Sequence, residues 1–224
     1  SVLTNVSAPV NVLERFCCLT SDRLRITSAS LHPDTASVDE FMKKAIAYRQ
    51  LREKHNPHSS FVVNVVLVPG NVHNHVAYRK RIESEGMRYF PQVMKIKGGV
   101  DPYDNAEHRL IEQLTDGSHD PHKVNRAPSY EGRHCEAGAW YFAVDKTGEA
   151  YTCRTGKRFL DVNDHAAMGN LVAGTFALRK RGGKCPYPIC PCTVPANRGI
   201  VRLGDLKTST VDVPTQSAVK PLVQ

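Results

Sequence analysis

From Phe61 to Val68 the chain reads FVVNVVLV, an aliphatic run interrupted only by Asn64. A strand this uniformly apolar fits a place covered on both faces, as in a parallel sheet flanked by other layers. Strand and helix signals alternate around it through the first 115 residues. Val2 to Asn5 reads as a short strand, residues 9 to 19 as a helix after Pro9, and Leu24 to Leu31 as a strand ending in SLHPD. Ser37-Val-Asp-Glu40 fits a capping box, in which the Ser oxygen accepts from the third amide and the Glu reaches back. The helix it opens carries Val38, Phe41, Ala45, Tyr48 and Leu51 at helical spacing. A second helix is expected over residues 73 to 85, with Val76 and Ile82 inward and Gly86 as its stop. Arg88 to Met94 is a further strand. Asp104 and Glu107 cap a helix with Leu110, Ile111 and Leu114, ending near Gly117. The pattern predicts an α/β domain over residues 1–115, with parallel strands joined by right-handed crossovers. About four strands are too few to close an eight-stranded barrel, so the sheet is either open or half of a larger barrel.

Hydrophobic residues make up 41% and charged residues 23%, a balance that supports a core and excludes wholesale disorder. Phe61 to Pro69, the longest apolar stretch, is too short to span a bilayer as a helix, so no membrane partner is expected. The net charge is +8. Its charges are spread along the chain, and the one dense run, Arg179 to Lys184, lies beside cysteines. A nucleic-acid partner is therefore not the expectation.

Residues 116–134 are polar, with two prolines and two glycines, and read as a linker. A different domain is expected over residues 135–206. Trp140 to Asp145 and Glu149 to Cys153 flank the turn signal Lys146-Thr-Gly148, which predicts a hairpin. A short helix is expected between Asn163 and Leu178, and a last strand over residues 199 to 206. The tail, residues 207–224, reads as loose.

Of seven cysteines, Cys17 and Cys18 lie early, while Cys135, Cys153, Cys185, Cys190 and Cys192 crowd the second domain. The chain shows no secretory signal, so metal is preferred to disulfides. Several thiolates at one point favour zinc or an iron–sulfur cluster, since soft ligands select such metals. Structural zinc sites often use paired CxxC knuckles, and this chain has none. The long, uneven gaps suit a cluster better. Zinc and buried or disulfide-bonded cysteines stay open on spacing alone.

The segment CEAGAWYFAVDKTGEAYTC, followed by MGNLVAGTF and CPYPICPC, resembles the SPASM/twitch extension of radical S-adenosylmethionine enzymes. That extension has a Cys, a hairpin with Gly-x4-Cys, a Gly-Asn-aliphatic motif and closing cysteines. Here these fall on Cys135, Gly148 to Cys153, Gly169-Asn170-Leu171 and the Cys185 to Cys192 group. Upstream, Thr4-Asn5, SLHPD at Ser30 to Asp34 and NVVLVPGN at Asn64 to Asn71 resemble the third, fourth and fifth strands of the radical S-adenosylmethionine barrel. Gly86 to Gln92 resembles the sixth. The likeness covers roughly residues 1 to 195.

The resemblance implies the C-terminal half of a partial (β/α)6 barrel followed by a small cysteine-rich hairpin domain. It further implies S-adenosylmethionine and a [4Fe–4S] cluster as cofactors, radical hydrogen abstraction from a small-molecule or peptide substrate, and a cytoplasmic setting. The barrel's CxxxCxxC motif is not among these 224 residues, Cys17-Cys18 cannot substitute for it, and it is expected upstream. Five late cysteines hold one cluster with one spare, the twitch form. The expected ligands are Cys135, Cys153, Cys190 and Cys192, with Cys185 spare or replacing one of the pair. Ser30, His32 and Asn64 are implied to face S-adenosylmethionine at strand C-termini, where barrel sites lie. Asn64 also stands out from the residues themselves, because an Asn within a Val/Leu run needs a hydrogen-bond partner if buried. Gln92 is a weaker candidate on the same ground. His73, His75, His119 and His122 read as exposed loop or helix-start histidines, and Asp34, Asp39 and Glu40 as helix-start charges. The rival reading is a zinc-stabilised α/β binding module whose basic surface contacts nucleic acid.

Overall fold

The computed structural model describes residues 2–21, 23–96, 99–158 and 166–201. Its first half is mixed α/β. Strand β1 (Val2–Thr4) leads to helix α1 (Val10–Leu19), β2 (Ile26–Leu31), α2 (Val38–His55) and β3 (Ser60–Leu67). A short 3-10 turn (Val72–Asn74) precedes α3 (His75–Ser84), then β4 (Arg88–Val93). The four strands form one parallel sheet in the order β1-β2-β3-β4. Neighbours in the sheet are neighbours in sequence, without the reversal of a doubly wound fold.

Register divides the sheet into two faces. Ala29 pairs with Val63 and Val63 with Tyr89, while Ser30 pairs with Asn64 and Asn64 with Phe90. Side chains alternate along a strand, so the first set shares one face and the second set the other. The first face carries the core: Ala29, Leu31, Val63, Val65 and Tyr89 pack with Leu13 and Cys17 of α1, Phe41, Met42, Ala45 and Tyr48 of α2, and Ile82 of α3. Right-handed crossovers stepping always in one direction put their helices on one side in this way. Tyr48, 1% exposed, shares a 2.7 Å hydrogen bond with the buried Thr27 hydroxyl, so neither polar group is stranded.

A second apolar cluster closes the C-terminal end of the sheet. Hairpin β5 (Lys95–Ile96) and β6 (Gly99–Val100) leads to α4 (Asn105–Leu114), whose Ile111 and Leu114 pack with Leu67, Val72, Val93 and Tyr103. Inside α3 the expectation fails at Val76, which is 44% exposed, whereas Ile82 is buried. His75, expected to be exposed, is fully buried, with Nδ1 3.1 Å from the Tyr89 hydroxyl. Gly86 (φ +69°) turns the chain out of α3 as expected.

The segment expected to be a linker is built into the fold. Asn125 N–H donates to the Pro91 carbonyl and its own carbonyl accepts from Val93 N–H, both at 3.0 Å, so it pairs with the edge of β4. Val124, Asn125, Ala127 and Tyr130 are all buried. Prolines and polar residues there mark a segment tied down by side chains and one bridge, a state composition does not distinguish from a free connector.

Beyond it, β7 (His134–Cys135) pairs with β11 (Gly183–Lys184), and β8 (Ala143–Val144), β9 (Glu149–Tyr151) and β10 (Ala167–Asn170) form a second small antiparallel sheet. Short helices α5 (Arg154–Arg158) and α6 (Val194–Asn197) complete this lobe. The expected hairpin is present. Where a helix was expected after Asn163, residues 167–170 form a strand, because Ala167 and Asn170 pair back onto the hairpin at Tyr151 and Glu149. Of the expected last strand, residues 199 and 200 form a turn and bend and Val201 bridges Cys135; residues 202–206 and the tail lie outside the described residues. Among the described residues no helix is long and apolar enough to cross a membrane.

Candidate metal centre and the polar sheet face

Five cysteines reach the second lobe from separate stretches of backbone. Cys135 ends β7, where Gly183 lies opposite it and the Cys135–Val201 bridge flanks it. Two residues beyond Gly183, Cys185 is fixed by its own amide to the Arg133 carbonyl at 2.8 Å and by its carbonyl to Gly132 N–H at 2.8 Å. Cys153 follows β9 and is buried between Tyr187 and Ile189; its Sγ accepts from Gly156 N–H at 3.2 Å. Cys190 is buried with Tyr130 and Val201, its amide donating to the Pro128 carbonyl at 2.8 Å. Cys192 lies 3.9 Å from the Tyr141 hydroxyl.

The motif after the hairpin has a physical role here. A Cβ on Gly169 (φ +86°) would stand 2.3 Å from the Thr175 carbonyl oxygen, so only glycine fits. Asn170 then acts as a knot. Its Oδ1 accepts from Val172 and Ala173 amides at 2.8 and 2.9 Å, and its Nδ2 donates to the Thr147 carbonyl and Glu149 Oε1 at 3.1 and 2.7 Å. The turn of the hairpin whose second strand runs into Cys153 is thereby held.

None of the seven cysteines is in a disulfide. Cys135, Cys153 and Cys185 share a cavity of about 110 Å³ with Ala137, Thr152 and Tyr187. Burial pushes the Cys135 thiol up to about 11 and the Cys190 thiol up to about 12, and raises Cys153 and Cys185. After burial, the cysteines act on one another: Cys153 and Cys185 raise Cys135, Cys153 raises Cys185, and Cys192, Cys153 and Cys185 raise Cys190. Without a metal cation to compensate them, thiolates this buried are disfavoured. Among the described residues, no three His, Cys, Asp or Glu side chains are grouped to hold a single metal ion.

The donor set fits an iron–sulfur cluster on its own chemistry: all sulfur, unbridged, in an apolar setting, with several thiols that a metal would have to deprotonate. Cations stand nearby. Lys95 follows β4 and donates to Gln92 Oε1 at 3.2 Å, and Arg158 Nη2 donates to the Lys95 carbonyl at 3.2 Å. Burial, then Arg158, pulls Lys95 down to about 8, while Cys192 and Cys190 oppose this. Arg154 directly follows Cys153.

The other expected site residues are divided. Asn64 is 7% exposed on the sheet face away from the helices, hydrogen-bonded to Ser28 Oγ. Half-buried Ser30 is its register partner, on the same face. His32 is exposed in the loop after β2, where its carbonyl accepts from Thr35 and Ala36 amides. Ser30 and Asn64 are brought together; His32 stands apart from them on the rim. His73, His119 and His122 are exposed, as expected.

Sequence reasoning missed Tyr141, Lys95 and Asn125. The alternation Trp140-Tyr141-Phe142 carried a usable signal: Trp140 is 72% exposed and Tyr141 points the other way, toward Cys192. Lys95 and Asn125 carry no local signal, since their roles arise from elements distant in sequence. No protein-family profile and no curated protein matches this chain.

Proposed function

We propose that this chain is the C-terminal part of a radical S-adenosylmethionine enzyme, with the parallel sheet as half of a partial (β/α)6 barrel and residues 135–206 as a lobe for one auxiliary [4Fe–4S] cluster. The observation that carries this reading is the Cys190–Cys192 turn held beside the carboxyl end of β4, in the same lobe where the free Cys135, Cys153 and Cys185 line one cavity. Ligand sites in parallel α/β folds lie at the carboxyl ends of strands. The unreversed strand order and the polar pair Ser30 and Asn64 on the helix-free face support it further.

Cys135, Cys153, Cys190 and Cys192 would hold the cluster, with Cys185 spare or exchanging with one of them. When bound, a cluster supplies one-electron transfer. The chain's own task is to bury it, exclude water with Tyr141, Tyr187 and Ile189, and balance its negative charge with Lys95 and Arg154. Asn64 and Ser30 would hydrogen-bond polar groups of S-adenosylmethionine, with His32 at the rim. The substrate would be a small molecule or a peptide.

Anaerobic reconstitution with iron and sulfide tests the reading. A brown protein with cluster stoichiometry is expected, lost in Cys135→Ala and Cys153→Ala. A full cluster in either variant would overturn the assignment. Stoichiometric zinc without sulfide in the wild type would favour the zinc-stabilised binding module. In the full-length enzyme, Asn64→Ala should weaken S-adenosylmethionine binding in an equilibrium titration.

A further inference from the structure

The loop that carries Cys190 and Cys192 is poor in means of holding itself. Prolines at 186, 188 and 191 remove three amide donors. The amides of Cys185 and Cys190 hold the loop before the turn, donating to the Arg133 and Pro128 carbonyls at 2.8 Å. The Pro191 carbonyl, lying between the two sulfur-bearing residues, accepts from Asn125 Nδ2 at 3.0 Å.

Asn125 is itself fixed on every side. It is 2% exposed, its backbone pairs with β4 through Pro91 and Val93, and its Oδ1 accepts from Ala127 N–H at 3.1 Å. The second hydrogen of its Nδ2 goes to Gln92 Oε1 at 3.2 Å, the same oxygen that accepts from Lys95 Nζ. Gln92 lies two residues beyond Phe90, on the sheet face that carries Asn64. An unbroken run of hydrogen bonds thus joins the polar face of the sheet to the Cys-Pro-Cys turn, and Asn125 is its middle member.

We infer that Asn125 is a positioning residue: by holding the Pro191 carbonyl against Gln92 and β4, it sets where the Cys190 and Cys192 sulfurs stand. The inference rests on the proposed reading of those cysteines as metal ligands. Groups that orient metal ligands typically change metal affinity by about 10- to 100-fold when removed. Only a donor serves here, since both partners of Nδ2 are acceptors. Asn125→Asp keeps the shape and turns two attractions into repulsions.

The full chain, reconstituted anaerobically with iron and sulfide, is challenged with bathophenanthroline disulfonate, and iron release is timed. Asn125→Asp should release iron roughly 10-fold faster or more and should alter the electron paramagnetic resonance spectrum of the reduced cluster. Asn125→Ser, which removes the donors without adding charge, should fall between it and the wild type and covers the case in which Asn125→Asp does not fold. Asn56→Asp is the matched control: Asn56 is also buried and its Nδ2 donates to the Leu24 carbonyl at 2.9 Å, but in the sheet region. It should lower the melting temperature without changing release or spectrum. Wild-type release and spectrum in both Asn125 variants would overturn the inference, as would equal effects from Asn56→Asp. A wild type that takes up neither iron nor sulfide would overturn the reading itself, a result visible before any variant is made.

Discussion

The two halves of this protein hold together by different means. Among the described residues the sheet region buries fifteen residues in one continuous cluster, with seven more in an adjoining one. Among the described residues the cysteine lobe has two small clusters of three buried residues each, and each includes a cysteine with at least one more packed against it. Its strands are two to four residues long. Domains of this size seldom stabilise themselves by apolar burial alone, and rely on cross-links or metal. The cysteines therefore pack where a larger domain has its aliphatic core, and on the proposed reading metal at sulfur would also stabilise the lobe.

On the proposed reading, withdrawing metal should separate the two halves most sharply. A structural metal held by thiolates contributes on the order of 10 kcal/mol to folding, more than a typical margin of stability. After chelation of the reconstituted protein, amides from Cys135 to Val201 should lose hydrogen-exchange protection while those of β2 and β3 keep theirs. Equal protection of the lobe with and without metal would mean that its short strands and small clusters suffice.

The sheet region should respond instead to its aliphatic core. Leu31 is 1% exposed at the end of β2, packed among α1, α2 and β3. Leu31→Ala should cost about 2–5 kcal/mol in a denaturant titration, and leave iron content per folded molecule unchanged. A matching loss of iron would show that the two halves fold as one unit.

This contrast also explains what the sequence made legible. The strands and helices of the first half came from local periodicity, capping residues and the Phe61 to Val68 run, because their cores lie close to a repeating pattern. Asn64 stood out for a sound reason: a polar residue in an apolar strand must find a partner, and it found Ser28. The cysteine lobe was legible as a set of cysteines and one hairpin, but not in its connections. β7 and β11 meet across nearly fifty residues, and Asn125 meets Pro191 across sixty-six. Such contacts have no period. His75 was misread for a related reason: a helix-start histidine reads as exposed, yet β4 closes over it with Tyr89.

His75 gives the sheet region a sensitivity to acid. Burial pushes its imidazole down from 6.5 to about 4; Asp34 opposes and His73 adds to the shift. Its Nε2 has no partner among the described residues. Above about pH 6.5 both folded and unfolded chains hold it neutral. As pH falls from there toward 4, the unfolded chain takes up a proton that the folded chain refuses, so stability declines across that window and levels off below it. The total approaches roughly 3 kcal/mol. His75→Phe should flatten the pH dependence of unfolding free energy between 4 and 6.5. An unchanged slope would assign that dependence to other groups.

The smallest expected effect lies within the sheet region, where one sequence pattern has two outcomes. Ser37 and Asp104 each precede a helix with Glu three residues on. At Asp104 the box closes: its carboxylate accepts from the Ala106 and Glu107 amides at 2.8 Å, and Glu107 accepts from Asp104 N–H at 3.1 Å. Glu107 also accepts from Gly70 N–H at 2.5 Å, which ties α4 to the loop after β3. At Ser37 only half forms. The hydroxyl accepts from Glu40 N–H at 3.4 Å, while the Glu40 side chain turns to Lys43 at 2.7 Å. A cap exchanged for alanine costs about 0.5–2 kcal/mol. Asp104→Ala should fall at the upper end and Ser37→Ala at the lower, read from urea midpoints at constant slope. The difference comes from Gly70, a tertiary partner that holds Glu107 in reach of its cap, and from Lys43, a local partner that draws Glu40 away. Replacing Lys43 by Met removes that competitor, and should let Glu40 close its box and recover a few tenths of a kcal/mol. Equal losses at the two caps, or no gain from Lys43→Met, would mean that the pattern alone decides its energy.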